Sequence, residues 1–203
     1  MIFFKIIFRI IRLIRLKLSR IFVKIKFNVN NTGGIVLLST EELAQKKIEQ
    51  YDNVLKQLKA LLAGERHLLA NLSNAAALLN QYLDKINWVG FYLLEGEELV
   101  LGPFQGLPAC VRIPVGKGVC GTSVAKKQTI VVPDVHEFPG HITCDPASQS
   151  EIVIPLQKDG TVLGVLDIDS PYKDRFDEID AKKLEEFAAI LIRSTDWSYR
   201  ISL

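Results

Sequence analysis

Apolar residues at helical spacing characterise the first part of the body of this chain, over residues 39–85. Ser39 and Glu42 have the spacing of a capping box, which predicts a helix start. Apolar residues then recur in steps of three to five as far as about Ala63, and Gly64 ends the pattern. This stripe consists of Leu43, Ile48, Tyr51, Leu55, Leu58 and Leu62. A second helix is predicted over about 65–85, and its apolar face contains Leu68, Leu69, Leu72, Ala75, Ala76, Leu79 and Leu83.

Short runs rich in β-branched and aromatic residues follow, and they predict six strands. The strands are expected over about 88–94, 98–101, 110–114, 129–132, 151–157 and 162–169. Gly96 and the Asp159-Gly160 pair indicate hairpin turns, so the strands that they join should be antiparallel. A short helix is expected over 118–127 and a closing helix over 177–194, with Leu184, Phe187, Ala188 and Leu191 facing inward. This order predicts an α+β fold, in which the N- and C-terminal helices cover one face of an antiparallel sheet and the connection 133–150 roofs a pocket on the other.

The pattern of residues 1–38 differs from that of the body. Residues 2–27 interrupt every apolar run with Lys or Arg after at most three positions, so that a helix would carry apolar and basic residues on opposite faces. One interpretation is a basic amphipathic helix that lies on an anionic membrane surface. The other, which we expect, is translated sequence upstream of a true start near Val36 or Leu37. A single domain is therefore predicted over residues 39–203.

Composition and charge narrow the class of protein. The chain has 203 residues, of which 48% are hydrophobic and 24% charged, as in an ordinary globular protein. No stretch approaches the roughly 20 consecutive apolar residues of a membrane span. The net charge of +2 conceals an asymmetry, because residues 1–27 hold eight basic residues and no acid, which leaves 17 basic and 23 acidic side chains elsewhere. The acidic body gives no electrostatic basis for binding nucleic acid.

Three cysteines, Cys110, Cys120 and Cys144, are the first candidates for chemistry. Without a cleavable signal peptide they indicate a reducing compartment, and we expect a cytoplasmic protein. The spacing of these cysteines lacks the close pairs of a zinc site, so no metal or other cofactor is expected. His136 and His141 are interpreted as loop histidines. Small buried cysteines are the alternative interpretation. However, Cys144 lies in a polar loop and Cys120 lies near a predicted helix start, where backbone N–H groups favour a thiolate, so redox or nucleophilic chemistry is indicated.

Three acids, Glu151, Asp167 and Asp169, form the second candidate group. Asp167 and Asp169 are two apart on a predicted strand, so both side chains point to one face of the sheet. A hairpin that turns where predicted would set them opposite positions 152 and 150, on either side of Glu151. Crowded carboxylates raise one another's pKa, so such a site could hold a cationic amine and lend a proton. A solvated strand end is the alternative.

The aromatic segment Asn-Trp-Val-Gly-Phe-Tyr at 87–92 is the third feature. Its period of two places Trp88 and Tyr92 on one face of a strand and Val89 and Phe91 on the other. One face should belong to the core. The other face is expected either to pack in the core as well or to offer an aromatic surface to a small ligand.

Taken together, these segments resemble the free methionine-(R)-sulfoxide reductases, which are single-domain proteins of the GAF family. Besides 87–92, the matching segments are Gly-Pro-Phe-Gln-Gly at 102–106, Cys-Val-Arg-Ile-Pro at 110–114, Gly-Lys-Gly-Val-Cys-Gly at 116–121, Val-Pro-Asp-Val-His at 132–136, His-Ile-Thr-Cys-Asp at 141–145 and Gly-Val-Leu-Asp-Ile-Asp-Ser-Pro at 164–171. The resemblance covers residues 39–197 and includes all three cysteines in order. It implies a GAF-like catalytic domain with about six strands.

The resemblance also implies an activity, the reduction of free L-methionine-(R)-sulfoxide to L-methionine. In the family, the thiol that matches Cys144 attacks the sulfoxide sulfur and becomes a sulfenic acid. The thiol that matches Cys110 resolves it as an intramolecular disulfide, which thioredoxin reduces. Cys120 matches a third cysteine that is usually auxiliary, and its use as the main resolving thiol stays open.

Roles for the other candidates follow from the same resemblance. The acids that match Glu151, Asp167 and Asp169 bind the substrate amine and polarise or protonate the sulfoxide oxygen. Residues that match Trp88 and Tyr92 line the methylthio side of the substrate.

Two further classes of function stay open. A non-catalytic GAF module that senses a small molecule is the principal alternative, and a thiol-peroxidase-like redox sensor is the other, although the latter leaves the acids unexplained. The expected partners are free methionine sulfoxide and thioredoxin, a homodimer is compatible with the sequence, and no nucleic acid is expected. Membrane contact would arise only through residues 1–27.

Overall fold

The computed structural model describes residues 26–29 and 35–198, which divide between two compact units, residues 1–47 and 48–203. In the first unit, strand β1 (Lys26–Val29) pairs antiparallel with β2 (Ile35–Leu38). Most of the predicted amphipathic helix over 2–27 lies outside the described residues. The helix interpretation is wrong for positions 26 and 27, because both belong to β1.

The helices form close to where the hydrophobic spacing predicts them. They are α1 (Thr40–Leu61), α2 (Leu68–Tyr82), α3 (Gly118–Lys126) and α4 (Glu178–Ser194). The capping box at the start of α1 is present, since Glu42 N–H donates to Ser39 Oγ at 3.1 Å and Ser39 N–H donates to Glu42 Oε2 at 2.8 Å. None of the helices in the described part of the chain combines the length and apolar composition needed to cross a membrane.

Six further strands form one antiparallel sheet in the order β5-β4-β3-β8-β7-β6. They are β3 (Trp88–Glu95), β4 (Glu98–Gln105), β5 (Arg112–Pro114), β6 (Ile130–Val132), β7 (Ser150–Lys158) and β8 (Thr161–Ser170). The predicted α+β class and the antiparallel pairing are confirmed. Strand β4 continues four residues beyond the end predicted at 101.

Both faces of the sheet are buried, each by a different set of elements. Val89 and Phe91 point into a core that includes apolar residues of α1, α2 and α4, as predicted for the terminal helices. Trp88 and Tyr92 point to the opposite face, where apolar residues of α3 complete a second core. The functional candidates on β7 and β8 lie on this second face.

The pairing of β7 with β8 differs from the prediction by one residue. The hairpin closes with Gln157 opposite Val162, but Leu156 then lies opposite Gly164, which leaves one extra residue in β8. From this bulge onward the register is shifted, so that Asp169 lies opposite Glu151 and Asp167 opposite position 153, instead of positions 150 and 152. Cross-strand partners share a face of the sheet, so the bulge brings Glu151 to the same face as the two aspartates.

Candidate active site

Glu151, Asp167 and Asp169 form a carboxylate cluster on the second face of the sheet, in which Glu151 and Asp167 are buried and Asp169 is partly exposed. Glu151 and Asp167 each keep only 6% of their surface exposed. Burial raises the pKa of all three carboxyl groups well above their ordinary values. The charge of Asp169 raises the pKa of Glu151 further, and the charge of Glu151 does the same for Asp167. The cluster therefore retains protons at a pH at which exposed carboxyl groups have lost them.

One atom of this cluster has no partner. Asp167 Oδ1 is buried and makes no hydrogen bond within the described residues. A buried polar atom without a partner is costly, and its presence indicates a place prepared for a ligand group. Asp167 lines a cavity of about 30 Å³, and Glu151 and Asp169 line it as well.

Cys120 lies on α3 directly over the carboxylate cluster. Its Sγ is 4.0 Å from Glu151 Oε1, and the side chain is buried. Burial raises the pKa of this thiol, and the nearby charges of Asp167 and Glu151 raise it further. The expectation that the helix start would favour a thiolate is therefore wrong, because loss of hydration and two carboxyl groups outweigh the partial charges of the backbone N–H groups.

Cys110 and Cys144 form a disulfide, with their Cα atoms 5.6 Å apart. Cys110 precedes β5, and Cys144 belongs to the connection 133–150. Cys144 lines the same cavity as the carboxylate cluster, as do Ile142, Asp145 and Ser148 of this connection. The connection therefore roofs the cavity, as predicted.

Trp88 and Tyr92 lie on the face of the carboxylate cluster but are almost completely buried, at 2% and 1% exposure. They are absent from the described lining of the cavity. Trp88 Nε1–H donates to the carbonyl of Leu107 at 3.1 Å, and Tyr92 Oη donates to the carbonyl of Cys110 at 3.0 Å. Their polar atoms thus hold the backbone segment that carries Cys110.

Several polar residues of the site were not identified from the sequence. Asn87 Nδ2 donates to Asp145 Oδ2 at 2.7 Å and to Ser148 Oγ at 3.0 Å, and these bonds tie the roof to the start of β3. His141, interpreted as a loop histidine, lines the cavity with its Nε2 3.6 Å from Glu151 Oε2, and burial lowers its pKa. In the sequence, only its position three residues before Cys144 indicated that His141 could belong to the site. His136 is a surface residue, paired with Asp134 at 2.9 Å.

The chemistry of this site follows from what surrounds the cavity. Two thiols supply two electrons to a substrate when they are oxidised to a disulfide. Carboxyl groups with raised pKa supply protons near neutral pH and, once ionised, attract a cationic amine. Cys120, Glu151 and Asp167 also place three potential metal donor atoms within 4.8 Å of one another.

Comparison with known proteins gives the following similarities. Residues 48–193 match the GAF domain family. A free methionine-R-sulfoxide reductase of Escherichia coli (strain K12) is 53% identical over 154 residues, which are 74% of this chain and 93% of that protein. The structure of fRMsr of Staphylococcus aureus in complex with substrate has a TM-score of 0.69 and 57% identity, and covers 71% of this chain and 94% of that chain. The structure of free methionine-R-sulfoxide reductase from Neisseria meningitidis in complex with its substrate has a TM-score of 0.71 and 49% identity, and covers 73% of this chain and 89% of that chain.

Proposed function

This chain belongs to the free methionine-R-sulfoxide reductases of the GAF-domain family, and we propose that it reduces free L-methionine-(R)-sulfoxide through Cys144, Cys110 and the carboxylate cluster. One observation carries the proposal. Cys144, joined to Cys110 in a disulfide, borders the same cavity as three carboxyl groups whose pKa values are raised by burial.

In the first step, the sulfur of Cys144 attacks the sulfoxide sulfur. The sulfoxide oxygen becomes a better leaving group when it receives a proton, and a carboxylic acid that stays neutral near pH 7 is suited to donate it. Glu151 and Asp169 lie opposite each other at the open end of the β7–β8 hairpin, away from its turn. We assign proton donation to these two residues. The S–O bond of the sulfoxide breaks and an S–O bond to Cys144 forms, so methionine leaves as the thioether and Cys144 becomes a sulfenic acid.

In the second step, the thiol of Cys110 attacks the sulfenic sulfur of Cys144. Water leaves and the disulfide forms, so the two electrons that reduced the sulfoxide come from the two thiols. The Cys110–Cys144 disulfide supports this pairing over one that uses Cys120, since Cys120 remains a free and buried thiol. A dithiol reductant then restores both thiols, and we assign this role to thioredoxin in the cytoplasm.

We propose that the protein recognises the free amino acid by contacting the charged groups of the substrate. We assign Asp167 to accept a hydrogen bond from the substrate ammonium, and the lack of a hydrogen-bond partner for its Oδ1 among the described residues supports this role. A peptide-bound methionine lacks this ammonium and would leave the buried oxygen unpaired, which disfavours its binding. The cavity of about 30 Å³ in the disulfide form is too small for methionine sulfoxide, so the roof has to move to admit it.

The experiment that tests the activity is a thioredoxin-coupled assay of NADPH consumption. Four substrates are compared: the R and S epimers of methionine sulfoxide, each free and within a peptide. Turnover of the free R epimer alone is expected. Binding of the sulfoxide without any turnover would favour the sensing module instead, and equal turnover of the peptide would contradict the role of Asp167.

The roles of the thiols are tested by single-turnover quench of cysteine variants without added reductant. Cys144→Ser should release no methionine, because the attacking sulfur is absent. Cys110→Ser should release about one methionine per site and then stop, with a sulfenic acid on Cys144 that a dimedone probe labels. A methionine burst from Cys144→Ser would contradict the assignment of the attacking thiol. A burst from Cys110→Ser followed by a Cys120–Cys144 disulfide would transfer the resolving role to Cys120.

A further inference from the structure

We propose that the cavity is also a binding site for a zinc-type divalent cation, held by Cys120 Sγ and by the carboxylates of Glu151 and Asp167. The proposal does not depend on the catalytic roles assigned above. It rests on how the fold groups donor atoms from three separate elements around one buried space.

The donor atoms have nearly the spacing that a small cation requires. Cys120 Sγ lies 4.0 Å from Glu151 Oε1, and one donor atom from each of Cys120, Glu151 and Asp167 falls within 4.8 Å of the other two. Zn–S and Zn–O bonds of about 2.3 and 2.1 Å at a tetrahedral angle set donor atoms ~3.6 Å apart. Small side-chain rotations are therefore enough to bring three donors onto one ion.

A second observation points to a ligand at the same place. Asp167 lines the cavity and keeps only 6% of its surface exposed, and its buried Oδ1 has no hydrogen-bond partner within the described residues. The space of about 30 Å³ fits an ion with one bound water. His141 Nε2, 3.6 Å from the other oxygen of Glu151, stands near enough to supply a fourth ligand after a small movement.

The donor types select the class of cation. A thiolate, an imidazole and carboxylates suit Zn²⁺, whereas Mg²⁺ and Ca²⁺ prefer sites made of oxygen alone. A bound divalent cation would also stabilise the ionised form of two carboxyl groups that are buried close together. When the ion binds, the thiol proton of Cys120 and any protons held by Glu151 and Asp167 are released to solvent, and no oxidation or reduction takes place.

Metal binding is best tested on the protein in its disulfide form. With Cys110 and Cys144 joined, Cys120 is the only free thiol among the three cysteines, so any metal–thiolate signal has to come from it. The disulfide form also cannot reduce a sulfoxide, so binding is measured separately from activity. Titration with Co²⁺ should give a thiolate-to-cobalt charge-transfer absorption that saturates at one equivalent. Zn²⁺ should displace Co²⁺, as expected from their order of affinity, and excess Mg²⁺ should not.

Variants identify the ligands. Cys120→Ser should abolish the charge-transfer absorption, and Asp167→Asn and Glu151→Gln should each weaken Co²⁺ binding at least ~10-fold, a loss known even for outer partners of metal ligands. Asp134→Asn is the matched control, because Asp134 pairs with Lys173 and His136 at the surface, and its Co²⁺ affinity should be unchanged. Absence of one-equivalent binding, or full charge-transfer absorption in Cys120→Ser, would overturn the proposal, whether or not the reductase assay succeeds.

Discussion

Tyr92→Phe removes a single hydroxyl group from a buried ring, and its effect on stability is calculable. The hydroxyl donates to the carbonyl of Cys110 at 3.0 Å, and the ring is 1% exposed, so the variant retains the ring's packing. Burial raises the pKa of Tyr92, so its hydroxyl stays protonated and keeps donating. Loss of one such bond costs about 1 kcal/mol of unfolding free energy, and a chain of this size then loses about 2–4 °C in Tm.

The same hydrogen bond is expected to matter for disulfide formation. It fixes the backbone of Cys110, and its neighbour along the segment, Leu107, is held by Trp88. We expect this fixed backbone to favour the encounter of Cys110 with the sulfenic acid on Cys144. Losing about 1 kcal/mol of that stabilisation slows disulfide formation about fivefold. Rapid-quench assays should show methionine release at the normal rate, followed by a longer-lived sulfenic acid that dimedone traps.

Tyr82→Phe is the matched control for this prediction. The hydroxyl of Tyr82 also donates over 3.0 Å, to Gln57 Oε1, at a contact between α1 and α2 outside the cavity. This variant should lose comparable stability but form its disulfide at the normal rate. Equal slowing in both variants would show a general effect of destabilisation. A raised KM in Tyr92→Phe with normal disulfide formation would refute the reasoning and favour contact between the hydroxyl and the substrate.

Three further predictions concern the carboxylate cluster and the bulge in β8. Glu151→Gln and Asp169→Asn should lower kcat by ~10²–10⁴ without changing the circular dichroism of the fold, whereas Asp167→Ala should act mainly on KM; normal kinetics in all three variants would exclude a catalytic cluster. Burial raises the pKa of these carboxyl groups, so the folded state binds more protons than the unfolded state, and stability should fall as pH rises above about 4. Urea midpoints measured as a function of pH should show this decline, and Asp167→Asn should make it shallower. Gly164→Ala should cost ~1–3 kcal/mol in urea unfolding, because an added Cβ would meet the carbonyl of Tyr92, and an unchanged midpoint would contradict that close approach.

The helices and the class of fold could be predicted from the sequence because their signals are local. The apolar stripe from Leu43 to Leu62 and the capping box at Ser39 depend on residues within a few turns of one another, and α1 forms within two residues of the predicted ends. The alternation of Trp88 and Tyr92 with Val89 and Phe91 likewise determined which face of β3 each side chain takes.

What the sequence by itself determined about the site was its chemistry: three thiols, three acids and the segments that carry them. The tertiary structure decided which groups meet. A bulge beside Gly164 brings Glu151 opposite Asp169, and the fold of the roof brings Cys144 to Cys110 and His141 to Glu151. Likewise, the pKa of Cys120 is raised by the burial of its side chain in the folded protein and by acids more than 30 positions away in the sequence. Local patterns do not encode such effects, because the energies of burial and charge depend on neighbours that only the folded chain assembles.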